Sequence, residues 1–309
     1  MFCGFIWSPI FDFHEEILNE INSKYTVHHY FVYDFNKDKQ KYEKSILDIY
    51  STDDISLAKV KNVKLKNMFQ YDLKYIYFIF EINEPVYRIK ANFNTQISTK
   101  VEELKGNIRN KYKSKIKNYI HDIILHVSDN INQSSQIEKL MIPYLCFRTY
   151  EFMNLKTFLK YQFNGTIFTR VDILVRTYAL KQYMKDKQYD FYLYNKMQKL
   201  RNSSNINAVK NFKKLIDSIL HSGFNKKCCI EYENNYMLRN GSHRLAYLYL
   251  NHSIFIPCST LINYKSEGKK HCNYSYKWFE TKFTSDELKI IREEMDELMR
   301  YLSTSISIS

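Results

Sequence analysis

The run Tyr236-Met-Leu-Arg-Asn-Gly-Ser-His-Arg-Leu-Ala-Tyr247 concentrates the side chains best suited to chemistry. Its pattern reads as a strand, a tight Asn240-Gly241 turn and a helix opening at Ser242. A helix start presents unpaired backbone N–H groups and the positive end of the helix dipole. Gly241 lets a ligand approach the backbone, while His243 and Arg244 add donors suited to phosphate. The plainer alternative is a helix capped by Ser242, with a surface His243 and with Arg244 paired to a carboxylate. Upstream, Asp172-Ile-Leu-Val-Arg176 and Tyr194-Asn-Lys-Met-Gln-Lys-Leu-Arg201 offer Arg176, Lys196 and Arg201 as further phosphate contacts. Each of these also fits a solvated helical face. For acid–base work the candidates are Ser242 and His243 in the turn, with Glu231, Glu233 and Asp172 as possible bases.

The elements that must position this turn follow from periodicity and punctuation. Ile206 to Leu220 is strongly amphipathic, with Val209, Phe212, Leu215, Ile216 and Ile219 on one face and Gly223 placed for a C-cap. Strands are expected at Cys228 to Tyr232, Tyr236 to Arg239 and Ile254 to Ile262, with a turn at Asn234-Asn235. Tyr150 to Tyr161, Val171 to Met184 and Tyr189 to Arg201 read as helices. Thr284-Ser-Asp-Glu287 is a capping box that opens a C-terminal helix running to about Tyr301. Before Pro143 the order is helix (Glu15 to Ile21), strand (Tyr25 to Phe35), helix (Tyr42 to Tyr50) and core strand (Leu73 to Ile82). Val86 to Lys90 is expected to pair back on that core strand. A helix then runs from Ser98 to Tyr119 with Gly106 as its weak point, followed by a strand from His121 to Val127. Asp129 or Ser134 would cap the helix that ends before Pro143. The change of pattern at Pro143 places a domain boundary near residue 145.

Composition excludes several classes. The chain has 309 residues, 45% hydrophobic and 16% aromatic, enough for a large packed core. With only 6 glycines it holds neither a Rossmann fingerprint nor a Walker loop. No apolar run is long enough to span a bilayer, and the segment Met1 to His14 lacks a basic leader. A reduced, cytoplasmic setting without membrane attachment is therefore expected. The six cysteines (Cys3, Cys146, Cys228, Cys229, Cys258 and Cys272) show no metal-ligand spacing, and no metal site is expected. The net charge of +13 is dispersed and lysine-rich. Its one concentration, Lys105 to Lys117, alternates with Ile108, Tyr112 and Ile116 as an amphipathic helix would. Only weak, non-specific nucleic-acid binding is expected from it.

The order helix, strand, strand, G-S-H-R-x-A helix, strand over about Ile206 to Ile262 resembles the ParB/sulfiredoxin fold. The specific part is Asn240-Gly241-Ser242-His243-Arg244. That resemblance implies His243 and Arg244 as nucleotide-phosphate ligands and Gly241 as the residue of close approach. It also implies ATP or ADP, with Mg²⁺, as cofactor. Where sulfiredoxins place a reactive cysteine this chain has Ser242, which disfavours sulfinic-acid reduction. A second echo, Gly106-Asn-Ile-Arg109 with His126-Val-Ser-Asp129 and Ser135-Gln-Ile-Glu138, resembles nucleoside diphosphate kinases. It implies a ferredoxin-like fold and a phosphate-accepting His126. Val127 stands where that family has glycine, and the Arg-to-His spacing differs. The alternative is that His126 ends a core strand and accepts no phosphate.

Together these readings give an α+β chain of two domains. Residues 1–145 form a ferredoxin-like α/β sandwich, and residues 146–309 a ParB/sulfiredoxin-like mixed domain with extra helices. The leading function is a nucleotide-dependent phosphotransferase acting on a small metabolite. The alternatives are a ParB-like nucleotide-gated DNA-binding or nuclease protein, and a non-catalytic interaction protein. Substrate and oligomeric state are not legible.

Overall fold

The computed structural model describes residues 1–90, 95–117, 119, 122–163, 170–201, 207–233, 236–261 and 274–304. The turn expected at Asn234-Asn235, and His121, Ile206, Ile262, His271 and Cys272, lie outside these. The chain is mixed α/β and divides into two units, Met1–Phe152 and Met153–Ser305.

The first unit runs β1 (Phe2–Ile6), α1 (His14–Lys24), β2 (Thr26–Asp34) and α2 (Lys39–Tyr50). Two short turns, α3 (Leu57–Lys59) and α4 (Lys66–Met68), flank a π-helical turn. Then come β3 (Lys74–Glu81), β4 (Tyr87–Lys90), β5 (Thr95–Ser98), α5 (Thr99–Tyr112), β6 (Leu125–Val127), α6 (Ile131–Met141) and β7 (Arg148–Asn154). The sheet order is β6-β1-β3-β2, and every pair is antiparallel. Two β–α–β units therefore interleave, β1–α1–β2 with β3 inserted between its strands, and β3–α5–β6 with β1 inserted. The apolar run of β3 is buried on both faces, as a central strand requires. Gly4 sits opposite Phe78, and a Cβ there would collide with the Phe78 ring at 2.3 Å. The missing side chain leaves room for the outer end of that ring.

Three local expectations change here. Residues 87–90 pair with β5, not with β3, because β5 supplies the nearer antiparallel partner. Helix α5 ends at Tyr112, short of Tyr119, and passes into a 3₁₀ turn at Lys113–Lys115. Tyr150 to Asn154 is strand, not helix: Thr149 Oγ1 donates to the Val32 carbonyl at 3.2 Å, and Phe152 stacks on Tyr30 at 4.5 Å. The helix starts only at Leu155, where the Asn154 side chain accepts from the Thr157 amide at 3.1 Å.

The second unit contains α7 (Leu155–Phe163), α8 (Val171–Lys185), α9 (Tyr192–Arg201) and α10 (Ala208–Ser222). These are followed by β8 (Ile230–Tyr232), β9 (Leu238–Asn240), α11 (Ser242–Leu250), β10 (Phe255–Thr260), α12 (Tyr276–Glu280) and α13 (Ser285–Ser303). Strand β8 lies between β10, which is parallel to it, and β9, which is antiparallel. Helix α11 makes the crossover from β9 to β10. Helix α8 is central, with Val171 to Thr177 buried on every face and α11 and α13 packed against it. The capping box forms as the sequence predicts: Thr284 Oγ1 accepts from the Glu287 amide, and Glu287 accepts from the Thr284 amide at 2.7 Å. No helix among the described residues is long and apolar enough to cross a membrane.

Candidate functional site

Strand β9 delivers the chain to Gly241, which takes the left-handed conformation (φ 95°, ψ 17°) and reverses it into α11. A non-glycine residue would be strained there. Gly241, not Ser242, is the N-cap, and no side chain caps this helix. The first intrahelical bond runs from the Leu245 amide to the Gly241 carbonyl at 2.8 Å. The amides of Ser242, His243 and Arg244 thus have no hydrogen-bond partner among the described residues. A left-handed residue followed by a right-handed one turns successive amides toward a common point, the geometry of an anion nest.

The turn opens into a cavity of about 650 Å³. Leu215, Ile219 and Phe224 supply an apolar wall. Asn240, Gly241, Ser242, His243, Arg244 and Arg239 also line it, with Cys228 and Asn225. Among the described residues the lining has two guanidinium groups and no carboxylate. Arg244 Nη1 donates to the Cys229 carbonyl at 2.7 Å, and Arg244 has no carboxylate partner among the described residues. Arg239 is paired with Glu233 at 2.6 Å. The Ser242 hydroxyl makes no hydrogen bond among the described residues, so it is available to a ligand.

His243 is placed differently from a free phosphate ligand. Its Nε2 is hydrogen-bonded to the Tyr194 hydroxyl at 2.8 Å, and its ring packs on Phe212 at 4.4 Å. Burial, reinforced by the Arg176 charge, holds the imidazole well below its ordinary pKa. It is therefore neutral at pH 7 and brings no charge to the cavity.

The remaining candidates separate. Glu231 accepts from the Asn240 amide group at 3.2 Å and steadies the turn from behind. Lys196 Nζ lies 2.5 Å from Glu287 and over the Phe283 ring, which commits it to holding α9 against the start of α13. Asp172 is fully buried and held by three arginines. Burial pushes its carboxyl up, but Arg170 and Arg176 outweigh that and hold it well below the usual carboxylate range. It cannot serve as a base near neutral pH. Arg176 and Arg201 both belong to this Asp172 cluster.

In the first unit, His126 is 5% exposed among Phe5, Trp7 and Tyr50, with its Nδ1 3.7 Å from the Asp53 carboxylate. Burial, with Lys105 and Lys64 nearby, keeps it neutral. Arg109 donates to the Leu125 carbonyl at 2.9 Å, so it braces β6. Asn130, not Asp129 or Ser134, caps α6.

Sequence reading missed Arg170, Arg239, Cys228 and Tyr194. Arg170 carried a partial signal, lying two residues before Asp172, which itself has Arg176 at i+4. The position of Tyr194 beside His243 joins side chains of α9 and α11 and had no local signature. No family model matches the sequence, and no curated protein is significantly similar to it.

Proposed function

We propose that the second unit binds a nucleotide by its phosphates at the N-terminus of α11, and that the protein is a nucleotide-dependent phosphotransferase acting on a small metabolite. The observation that carries this reading is that Ser242, His243 and Arg244, whose amides have no partner among the described residues, line one cavity together with the Arg244 guanidinium, with no carboxylate among its described lining. Amides at a helix start and a guanidinium fork favour phosphate oxygens over neutral groups. The apolar wall of Leu215, Ile219 and Phe224 suits a base or another flat organic moiety. Phosphoryl transfer rests mainly on positioning and charge neutralisation, and the Ser242 hydroxyl lines the same cavity.

The described lining supplies no carboxylate, so those residues do not build a protein site for Mg²⁺; the metal would arrive on the nucleotide, and no step here depends on it. The strand order β6-β1-β3-β2 with interleaved β–α–β units supports a ferredoxin-like reading of the first unit. The order β10-β8-β9 with the α11 crossover supports a ParB/sulfiredoxin-like reading of the second.

A thermal-shift series with ATP, ADP and CTP at fixed ionic strength tests binding, and phosphorus NMR of ATP with pooled metabolites tests transfer. Stabilisation by a nucleotide with a new phosphomonoester signal supports the reading. Stabilisation without turnover but with DNA retention at moderate salt would replace it with the ParB-like one. No stabilisation by any nucleotide would remove it.

A further inference from the structure

The second unit holds a buried cluster whose charges do not cancel. Arg170 donates to both Asp172 carboxylate oxygens at 2.7 and 2.9 Å, and Arg176 Nη1 donates to Oδ2 at 2.7 Å. Arg201 Nη1 lies 3.9 Å from the same oxygen. The Tyr274 ring is flanked by the Arg170 and Arg201 guanidinium groups, 4.5 and 4.1 Å from its centroid, and its hydroxyl accepts from Arg201. Three cations thus surround one carboxylate, an excess of two positive charges among the described residues.

Part of the cluster is plainly architectural. Arg170 Nη1 donates to the Leu238 carbonyl at 2.8 Å and ties the start of α8 to β9, and Arg176 also donates to the Asp172 carbonyl. What architecture leaves unexplained is the rest of the donor set. Arg176 is 3% exposed, yet among the described residues its Nε has no hydrogen-bond partner; nor do the buried Nε and Nη1 of Arg201. A buried guanidinium N–H without an acceptor is costly, and an uncompensated buried charge more so. Both costs vanish when an oxyanion presents several acceptor oxygens and two negative charges at one point.

We propose that the Arg176–Arg201 pair binds a tetrahedral phosphoryl-type oxyanion, separate from the one held at the α11 N-terminus. Inorganic phosphate and a phosphoryl group of a nucleotide share this chemistry. The connection to the first site runs through His243, which is bonded to Tyr194; that tyrosine's ring lies 5.8 Å from the Arg176 guanidinium. A ligand with two anionic groups would engage both. The proposal rests on the nucleotide reading only for that bridging, and the anion at the arginine pair is tested without it.

The test is calorimetric titration of the full chain with inorganic phosphate, AMP and ADP at constant ionic strength, using wild type, Arg201→Gln and Arg244→Ala. Arg201→Gln is expected to weaken phosphate binding about tenfold or more, the effect of one charge-assisted hydrogen bond. Weakening of ADP by both variants assigns the anion to the nucleotide. Weakening of phosphate alone by Arg201→Gln assigns it to free phosphate. If Arg201→Gln weakens binding and Arg244→Ala does not, the cradle fails and the arginine pair stands. Phosphate and ADP titrations of Arg201→Gln that match wild type overturn the proposal. Should Arg201→Gln not fold, wild-type crystals soaked in selenate decide. An anomalous peak about 4 Å from Arg176 Nε and Arg201 Nη1 is expected, with selenate oxygens about 3 Å from those nitrogens, and selenate bound only at α11, or nowhere, contradicts the proposal.

Discussion

A Cβ at Gly241 would come within 3.3 Å of the Ile230 Cα, so the turn before α11 presses directly on the backbone of β8. The positive φ of 95° adds strain for any other residue. Gly241→Ala is expected to lower stability by about 1–3 kcal/mol through these two effects, read as a fall in the urea midpoint at unchanged m value. Wild-type stability in this variant would mean that the turn relaxes freely and does not fix the amides.

Ser242 makes no cap. Ser242→Ala should therefore leave stability within about 0.5 kcal/mol of wild type, as for a surface change away from special features. A loss nearer 1 kcal/mol in chemical denaturation would show that the hydroxyl caps α11 in solution. Turnover lost at unchanged stability would place Ser242 in the chemistry.

Local patterns were legible where one element decides its own shape. The capping box at Thr284 and Glu287, the double-sided apolar run of β3 and the Gly241 turn all carry their reasons within a few residues. On the amphipathic face of α10, Phe212, Ile216 and Ile219 are buried as read, whereas Leu215 is only partly buried, and Leu215 and Ile219 both line the cavity. Strand β7 was missed because Tyr150, Phe152 and Met153 run straight into a genuine helix, and only the Asn154 cap marks the change. At the site, Gly241 and Arg244 were visible as a pair. The neutrality of His243 was not, since it depends on Tyr194, Phe212 and Arg176 arriving from three other helices.

Lys64 is buried beside the Tyr50 ring, with its ammonium 4.8 Å from the ring centroid. Burial, aided by Arg109, lowers its pKa from 10.5 to about 8. Between these two values the unfolded chain holds a proton that the folded chain has released, so folding stability from this group rises with pH. The full gain is about 3 kcal/mol by linkage, absent below about pH 8 and complete above the unfolded value. Lys64→Met should abolish that rise, measured as the difference between the two denaturation-derived stability curves from pH 7 to 10. Parallel curves would show that Lys64 is solvated.

His126 works in the opposite range. Below about pH 6.5 the unfolded chain takes up a proton that the buried imidazole refuses, so stability falls as pH drops. The slope is about 1.4 kcal/mol per pH unit for one such group. His126→Gln should flatten the profile between pH 6.5 and 5 by that amount, whatever its effect at pH 7. No acid-labile phosphate should be found on His126 after incubation with ATP.

The central claim is that the α11 N-terminus holds nucleotide phosphates. Isothermal titration of ADP into wild type, Arg244→Ala and Arg244→Lys, at one ionic strength and with fold checked by circular dichroism, tests it most directly. Arg244→Ala should lose about 1.5–3 kcal/mol of binding free energy, and Arg244→Lys should recover only part, because an ammonium cannot reproduce the guanidinium fork. Equal ADP affinity in wild type and a folded Arg244→Ala variant would contradict the claim.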